Sequence, residues 1–385
     1  MKILITTEFY YPQLTGVVTA VVNQKKALET LGYEVRILTI GNVKKSFYDD
    51  KDGAYYIKRV KWQPYPDSYV SFAYNDKLVK EIIAWHPDVV HAQCEFFTLS
   101  FAKKIAKKCG APLFETCHTD FDEYYMHFTK NKKLWDRIIP KVVRSRMKPI
   151  QKIVCPTKKI FDMLDRYKVQ NVKTVIPVGM DLEKYHQHLS FEERVELRTK
   201  YGIKADDFVF VSVCRVSPEK NISESICNFN ELLKLRQGIK LLIVGDGTDL
   251  QNLKALVQEL KLEEHVKFTG LVDFSIIWKY FKLGDVFVSA STSEIQGLTY
   301  IEALACGVPL LCRADQALDG TLDYGKNGYS YTSVEDYIEK ACFLIDNPIK
   351  LRGLVDNTIE SVTKYGLEAF AHSLDLVYRE QKRIR

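Results

Sequence analysis

Short apolar runs alternate with segments of helical period along most of the chain, and this alternation constrains the fold more than any other feature. A first series of predicted strands comprises Ile3–Thr6, Val35–Ile40, Val89–His91, Leu113–Thr116 and Ile153–Cys155. A second series comprises Phe208–Val213, Leu241–Val244, Val266–Phe268, Val286–Ser289 and Leu310–Cys312. Predicted helices lie between them, such as Val17–Leu31, Leu99–Lys108 and Leu250–Leu260. Because strands that alternate with helices pair in parallel, each series predicts a Rossmann-like, doubly wound parallel sheet of an α/β protein.

A linker separates the two series of strands. It runs from Ile176 to Tyr185 and leads into a polar helix near Ser190–Tyr201. We therefore expect an N-terminal domain over residues 1–175, a C-terminal domain over residues 176–364 and a final helix over residues 365–385. With 385 residues, the chain is long enough to bury two substantial cores.

Composition narrows the class of protein. The chain is 46% hydrophobic and 27% charged, as is ordinary for a soluble globular protein, and its net charge is only +6. Its nine cysteines are scattered and never form C-x-x-C, which favours reduced thiols in the cytoplasm over a zinc site or a disulfide scaffold. The opening residues Met1–Tyr10 are typical of a strand rather than a signal peptide. No apolar run reaches transmembrane length, so we expect any membrane contact to be peripheral.

The stretch from Asp285 to Cys312 carries the strongest chemical signal. It is predicted to form a strand, a polar loop that contains Glu294, and a helix that begins after Gly297 and contains Glu302. Glu302 lies in an apolar run, where a carboxylate costs free energy unless it is paired or hydrogen bonded; a ribose diol is a suitable partner. The first amide groups of the helix, at Leu298 and Thr299, are suited to a phosphate.

The spacing of these two glutamates, followed by ALACGVP, resembles the E-x7-E signature of retaining glycosyltransferases of family 4. The segment EIQGLTYIEALACG is most similar to bacterial members that glucosylate diacylglycerol, and the resemblance extends over nearly the whole chain. It implies the GT-B architecture, in which two Rossmann-like domains face each other across a cleft and the last helix crosses back onto the first domain. It also implies that Glu294 holds the donor sugar and Glu302 the ribose. The alternative is an ordinary β-loop-α unit with one solvated and one incidentally buried acid.

The loop after the first strand is the next candidate for binding the donor. Pro12 and Gly16 interrupt the chain before a helix that opens near Val17. A glycine allows close approach of the backbone to a ligand, and the start of the helix can bind an anion. In the family that the chain resembles, a small-residue or double-glycine loop here faces the donor phosphates, which implies this role for Gly16 and Val17. This chain has Thr15-Gly16 in place of the two glycines, and a plain turn is the alternative.

His118 follows the predicted strand Leu113–Thr116, at the edge where open α/β sheets bind ligands. The resemblance implies that it hydrogen bonds to the donor sugar near the 6-hydroxyl, whereas a lone histidine can also be purely structural. Asp120 and Asp122 follow as D-x-D. Two acids alone are a poor site for a hard cation, so we interpret them as loop or acceptor-binding residues and expect no required metal.

The segment Lys130–Lys152 is rich in lysine and arginine, contains the single acid Asp136, and interleaves apolar residues with its bases. This pattern predicts a peripheral contact with an anionic membrane surface, although a solvated surface helix is the alternative. Pro140 and Pro149 are expected to break the segment into pieces. No nucleic-acid-binding motif accompanies the bases, so a nucleic acid is not an expected partner.

Two cations and one glycine turn complete the candidate donor site. Arg215 and Lys220 lie just past a predicted strand and would neutralise a diphosphate, as the resemblance also implies; salt bridges to Glu219 or Glu224 are the alternative. LLIVGDGTDL resembles the glycine turn of the family. In KFTGLV, the resemblance implies that backbone groups at Gly270 and Leu271 hold the nucleotide base.

Taken with the resemblance, these residues predict transfer of glucose from UDP-glucose to diacylglycerol with retention of the α configuration, at the cytoplasmic face of the cell membrane. The predicted catalytic residues are His118, Glu294, Lys220 and Arg215, and no cofactor other than the donor is expected. Three alternatives remain open. They are a family 4 enzyme acting on a lipid-linked surface-polysaccharide precursor, a non-catalytic membrane-associated scaffold on the same fold, and a glycogen-phosphorylase-like enzyme, although the chain is much shorter than those enzymes.

Overall fold

The structure is a computed structural model that describes residues 1–13, 15–61, 69–124 and 132–383. The chain divides into two compact units: Met1–Asp181 together with Tyr365–Arg385, and Leu182–Lys364. The division between Asp181 and Leu182 falls inside the linker that the sequence indicates. Each unit is built around its own sheet.

The described part of the first unit contains an eight-stranded sheet in the order β3-β4-β2-β1-β5-β6-β7-β8. The strands are β1 (Lys2–Thr7), β2 (Glu34–Ile40), β3 (Phe47–Asp49), β4 (Ala54–Ile57), β5 (Val89–Ala92), β6 (Leu113–Thr116), β7 (Lys152–Cys155) and β8 (Val172–Val175). Strand β3 is antiparallel to β4, and the other neighbouring pairs are parallel. All five strands predicted in this half are confirmed. The β3–β4 hairpin and β8 are additional strands that no predicted run covers.

Helices connect these strands and cover the sheet. They are α1 (Gly16–Thr30), α2 (Lys77–Trp85), α3 (Phe97–Cys109), α4 (Phe121–Tyr124), α5 (Lys132–Met147) and α6 (Lys158–Arg166). Central strands of such a sheet are buried on both faces, which explains why Ile3, Leu4 and Ile5 are all fully buried.

The second unit has a six-stranded, wholly parallel sheet in the order β11-β10-β9-β12-β13-β14. Its strands are β9 (Phe208–Val213), β10 (Ile239–Val244), β11 (Val266–Phe268), β12 (Val286–Ser289), β13 (Leu310–Arg313) and β14 (Gly328–Tyr331). Its helices are α7 (Phe191–Lys200), α8 (Ile222–Leu233), α9 (Leu250–Glu259), α10 (Ile277–Phe281), α11 (Leu298–Ala305), α12 (Val334–Asp346) and α13 (Pro348–Val362). The five strands predicted in this half are confirmed, and β14 adds a sixth.

Each sheet has one position at which the order of its strands reverses. In the first unit the chain builds outward from β1 through β2, then returns to the other side of β1 with β5. In the second unit it builds from β9 through β10 and β11, then returns beside β9 with β12. The loops at the carboxyl ends of the strands separate at such a switch point, and ligands of open α/β sheets bind there.

The last helix, α14 (Leu367–Arg383), packs in the first unit although the chain reaches it through the second. Phe370, Leu374 and Tyr378 are buried against the core of that unit. The backbone amide of Met180 donates to the carbonyl oxygen of Tyr365 at 2.7 Å, which fixes the start of this return.

The expectation that Pro140 breaks the basic segment is wrong, because α5 continues through it. Proline removes the hydrogen bond to the carbonyl group four residues earlier, which here belongs to Asp136. Asp136 is exposed, so water can satisfy the freed carbonyl group and the helix can continue. The helix does end at Met147, before Pro149.

No helix in the described part of the chain is both long enough and apolar enough to cross a lipid bilayer.

Gly179 is a test of the packing of α14. A Cβ atom at this position would lie 2.5 Å from Cβ of Phe370, so either the helix or the linker must shift. We expect Gly179→Ala to lower the free energy of unfolding by about 1–3 kcal/mol, as overpacking does. Gly353→Ala is the matched control, because its Cβ would meet nothing within 4 Å and α13 gains a better helix former. Urea unfolding would measure both; equal stability of the two variants would contradict the packing that we describe.

Candidate active site

The carboxyl ends of β9 and β12 bring together a lysine and a glutamate that are far apart in sequence. Lys220 Nζ lies 2.6 Å from Glu294 Oε1, and the two side chains are only 18% and 16% exposed. Each follows one of the two strands that flank the switch point of the second sheet. Two of the predicted catalytic residues therefore form one ion pair at the edge where a ligand is expected.

The loops that carry this ion pair are also bonded to each other. Ser293 Oγ donates a hydrogen bond to the carbonyl oxygen of Glu219 at 3.0 Å, and Ser217 Oγ donates to the carboxylate of Glu219 at 2.6 Å. The first bond holds the segment before Lys220 against the loop that contains Glu294, and the second orders that segment itself. The position of the ion pair is thus fixed by the backbone as well as by its own charges.

Arg215 forms one of the salt bridges that the sequence offered as an alternative to phosphate binding. Its Nη2 atom lies 2.7 Å from Glu219 Oε1, and its side chain is 68% exposed. Glu224, the other acid considered, pairs instead with Arg313. An exposed ion pair of this kind contributes about 1 kcal/mol or less, so Arg215 can exchange its carboxylate partner for another anion at little cost.

Glu302 is buried in α11, as the sequence predicts, and has a partner that the sequence did not reveal. The Tyr185 hydroxyl donates to Glu302 Oε1 at 2.5 Å, and Tyr185 is itself fully buried. Burial raises the pKa of Glu302, while the bond from Tyr185 and the nearby charge of Lys184 act in the opposite direction. Tyr185 ends the linker, and no periodic pattern in the sequence points to it.

Helix α11 begins with the geometry that the sequence indicates. Gly297 is its N-cap, with φ at +62°, and a Cβ atom there would lie 2.3 Å from the ring of Tyr300. Only glycine accepts this backbone and this contact without strain. The amide groups of Leu298 and Thr299 belong to the first turn, where helix amides have no carbonyl partner within the helix and favour an anion.

The glycine turn after β10 packs directly on the backbone around Arg215. A Cβ atom at Gly245 would lie 2.0 Å from the carbonyl oxygen of Cys214, and one at Gly247 would lie 2.2 Å from that of Val216. The amide of Gly245 also donates to the carbonyl oxygen of Gly270 at 3.2 Å. This contact brings the Gly270–Leu271 segment to the same edge of the sheet, where the side chain of Leu271 is 81% exposed.

In the first unit, α1 begins at Gly16, and the side chain of Thr15 caps it by accepting a hydrogen bond from the amide of Val18 at 3.3 Å. The helix start predicted near Val17 is therefore confirmed. Gly16 is exposed and Val17 partly exposed, at the carboxyl end of β1.

His118 lies just beyond β6, and its Nε2 atom is 2.8 Å from Oε1 of Gln93. Burial lowers the pKa of His118 to about 4, so the ring is neutral near neutral pH. The sequence identified the histidine but not its glutamine partner, because Gln93 follows a different strand, β5.

Three buried acids lie near the switch point of the first sheet, and no motif in the sequence points to them. Glu8 accepts hydrogen bonds from the amides of Phe97 and Thr98 and so caps α3 from outside the helix. Burial raises the pKa of Glu8 to about 7. Burial also raises the pKa of Glu95 and of Glu115. The one available signal was that Glu8 ends an otherwise apolar strand.

Asp120 and Asp122 are held by neighbouring side chains. Asp120 lies 3.3 Å from Lys159, and Asp122 accepts from the Tyr167 hydroxyl at 2.7 Å and pairs with Arg166. Within the described ranges, no three His, Cys, Asp or Glu side chains are grouped as metal ligands would be.

The basic segment presents a mixed surface. Lys130 and Asn131 lie outside the described residues, as do the side chains of 132–134. On α5, Val143 and Met147 face the core, while Ile138 and Val142 are exposed and Arg137 and Lys141 lie beside them. Two bases of the segment point inward instead. Arg144 donates to the carbonyl oxygen of Tyr167, and Arg146 donates to that of Glu95.

Comparison with known proteins gives the family. A model described as Glycosyltransferase Family 4 matches residues 14–184, and one described as Glycosyl transferases group 1 matches residues 193–361. An alpha-monoglucosyldiacylglycerol synthase of Acholeplasma laidlawii is 33% identical over 390 residues, covering 98% of this chain and 96% of that protein. The chain belongs to family 4 of the glycosyltransferases. A protein of the same name from Streptococcus pneumoniae is 32% identical to this glycosyltransferase over 88% of the chain and 78% of its own length.

Solved structures share the fold of this chain. Anabaena Alr3699/HepE in complex with UDP has a TM-score of 0.79 at 16% identity, covering 99% of this chain and 100% of that one. Its complex with UDP-glucose has a TM-score of 0.77 at 17% identity, over the same shares of the two chains. WaaG, a glycosyltransferase involved in lipopolysaccharide biosynthesis, has a TM-score of 0.70 at 14% identity and covers 97% of this chain and 98% of that one. At such identities the likeness concerns the fold alone, and it confirms the GT-B class for the two parallel-sheet domains of this glycosyltransferase.

The buried carboxyl of Glu8 predicts a pH-dependent stability. Its pKa is about 7 in the native state against 4.5 when unperturbed, so its stabilising contribution is complete below pH 4.5 and is lost as the pH rises towards 7. Glu8→Gln keeps an oxygen to accept from Phe97 and Thr98 but cannot ionise. Relative to wild type, the variant should therefore gain up to about 3 kcal/mol between pH 4.5 and pH 8. Urea unfolding at several pH values measures this difference; a difference that stays constant with pH would exclude the buried acid.

Proposed function

We propose that this glycosyltransferase moves glucose from UDP-glucose to a hydroxyl group of diacylglycerol and retains the α configuration. The observation that carries the proposal is the Lys220–Glu294 ion pair at the switch point of the second sheet. The names of the two relatives at 32–33% identity support the acceptor, and the UDP-glucose complex of a protein with the same fold supports the donor.

The leaving group sets the main electrostatic demand on the enzyme. As the glycosidic bond breaks, its electron pair goes to the β-phosphate oxygen, and negative charge grows on the diphosphate. Lys220, the exposed guanidinium of Arg215 and the first amides of α11 would stabilise that charge. Because the donor binds before the bond breaks, these groups would already face the diphosphate when its charge grows. Gly16 and Val17 at the start of α1 would contact the same phosphates.

The two acids, Glu294 and Glu302, would contact different parts of the donor. Glu294 would accept hydrogen bonds from sugar hydroxyl groups and favour positive charge at the anomeric carbon. In Glu302, one oxygen already accepts from Tyr185, which orients the carboxylate so that it can also accept from the ribose diol. The backbone at Gly270 and Leu271 would hold the base, and His118 would orient the hexose.

Retention of configuration requires the acceptor to arrive on the face that the diphosphate leaves. The acceptor oxygen forms its bond to the anomeric carbon as the bond to the diphosphate breaks, and a diphosphate oxygen takes the proton of the acceptor hydroxyl. The enzyme's part in this step is to hold both partners and the departing charge.

Delivery to the lipid would depend on α5. Its outer face combines exposed Ile138 and Val142 with Arg137 and Lys141, so apolar side chains could enter the headgroup region while the cations meet anionic lipid. The enzyme would then work as a peripheral protein at the cytoplasmic face of the membrane.

Removing either member of the ion pair tests the proposed chemistry. We expect Lys220→Ala and Glu294→Gln each to lower kcat for glucosyl transfer at least about 100-fold, because each removes a group placed for the transition state. The matched control is Lys279→Ala, which breaks a 2.6 Å ion pair to Glu193 in the same unit. Thermal unfolding should stay similar in all three variants. Wild-type turnover in either site variant would refute the assignment.

The acceptor and the membrane contact are tested together with vesicles. Radiolabelled UDP-glucose should label diacylglycerol in anionic vesicles and do so poorly in neutral ones. Arg137→Glu with Lys141→Glu should weaken vesicle binding at least about tenfold, since each base near an anionic surface contributes about 1 kcal/mol. Lys107→Glu with Lys108→Glu on α3 makes the same change in charge elsewhere. Equal loss in both double variants would contradict the role of α5, and label found only in a lipid-linked saccharide would contradict the acceptor.

A further inference from the structure

A chain of hydrogen bonds runs through the interior of the first unit, from His118 at the sheet edge to Tyr378 on α14. His118 Nε2 is 2.8 Å from Gln93 Oε1, and Gln93 Nε2 donates to Gln24 Oε1 at 2.9 Å. Gln24 Nε2 donates to the Tyr378 hydroxyl at 3.1 Å. That hydroxyl lies 2.6 Å from His91 Nδ1, and Gln24 Nε2 lies 3.0 Å from the same nitrogen. The chain thus connects α1, the ends of β5 and β6, and the last helix of the protein.

The network lies in the core and its geometry is closely determined. Gln24 and Gln93 are 1% exposed, and His91 and Tyr378 are fully buried. The other ring nitrogen of His91, Nε2, is 2.9 Å from Thr116 Oγ1. Buried polar groups of this kind lose free energy if any bond is broken, so the members hold one another in place.

The network also bears on where each histidine carries its proton. Burial lowers the pKa of His91 to about 3 and that of His118 to about 4, so both rings are neutral and carry one proton each. Because Gln93 presents its amide oxygen, His118 donates from Nε2. Its Nδ1 atom is then an acceptor, and none of the described residues is hydrogen bonded to it.

The amides couple the two histidines. If the amide of Gln93 alone were rotated by 180°, its oxygen would face the amide oxygen of Gln24, and its NH₂ group would face the N–H group of His118. The two glutamine amides must therefore share one direction, and His118 and His91 must carry their protons on corresponding nitrogens. A change at the Tyr378 end of the network reaches His118 without any contact between the two side chains.

We infer that Gln93, Gln24, His91 and Tyr378 are positioning residues that fix the ring orientation and the tautomer of His118. Through Tyr378, the C-terminal helix takes part in the recognition of the donor hexose: it keeps Nδ1 of His118 as an acceptor for a sugar hydroxyl. This inference rests on the proposed function, in which His118 contacts the donor.

A double-mutant cycle tests the inference. Tyr378→Phe removes one oxygen and keeps the ring that packs on Phe114 at 5.1 Å between centroids. We expect it to lower kcat/KM for transfer about tenfold in the wild-type background and less than about twofold in a His118→Ala background, because it acts through His118. Tyr33→Phe is the matched control, since it removes a hydroxyl bonded to Asp375 on the same helix. Equal losses in both backgrounds would overturn the inference, and wild-type transfer by His118→Ala would overturn it together with the proposed role of His118.

A second measurement needs no activity and so separates this inference from the proposed function. In protein labelled with ¹⁵N-histidine, the ring nitrogens of His118 should report a proton on Nε2, with slow exchange of that proton with water. His118→Gln assigns the signals. Tyr378→Phe should speed the exchange or mix the tautomers, whereas Tyr33→Phe should not. Unchanged tautomer and exchange in Tyr378→Phe would overturn the inference even if diacylglycerol proves to be the acceptor.

Discussion

The pairing of β9 with β12 is the constraint on which the candidate site depends. These strands are neighbours in the sheet although the chain builds β10 and β11 between them. Lys220 and Glu294 follow them, and 74 residues separate the two in sequence, yet their charged groups meet at 2.6 Å. The glycine turn at Gly245–Gly247 and the start of α11 reach the same edge because their strands belong to the same parallel ladder. The chemistry of this edge is therefore a consequence of strand order.

Most of the fold could be predicted from the sequence, because a strand buried on both faces leaves a continuous apolar run. Phe208–Val213 is predicted and observed with identical bounds. The missed strands lack that signal. Strand β8 reads VKTV and remains partly exposed, and β3 is a three-residue edge strand that pairs with β4. The prediction at Pro140 failed for another reason: a local rule about proline takes no account of whether water can satisfy the carbonyl group that proline leaves unpaired.

The site could be predicted only as far as its chemistry lies in one contiguous stretch. Glu294, Gly297 and Glu302 share a single β-loop-α unit, so their types and spacing could be interpreted together. Their partners come from elsewhere: the Tyr185 hydroxyl reaches Glu302 across 117 residues of sequence. A buried acid predicts that some partner exists, because an unpaired one is too costly, but it does not say which residue supplies it. Glu8 and Gln93 were missed for the same reason, since each acts on a neighbouring strand or helix.

The candidate residues of the second unit form ion pairs, whereas His118 in the first unit is neutral. Each arrangement suits the chemistry proposed for it. In the second unit, Lys220 and Arg215 form ion pairs that a diphosphate can replace, which suits a leaving group that gains charge. In the first unit, His118 is partly buried and bonded to the amide of Gln93, and its lowered pKa keeps the ring neutral near neutral pH. A protonated ring would donate from both nitrogens and would add a cation where a sugar presents only hydroxyl groups. A neutral ring with one nitrogen already committed to Gln93 retains a single acceptor of fixed direction. In the proposed function, that acceptor would distinguish between hydroxyl orientations. The network that holds it ends on the last helix, so it depends on that helix remaining packed on the first unit.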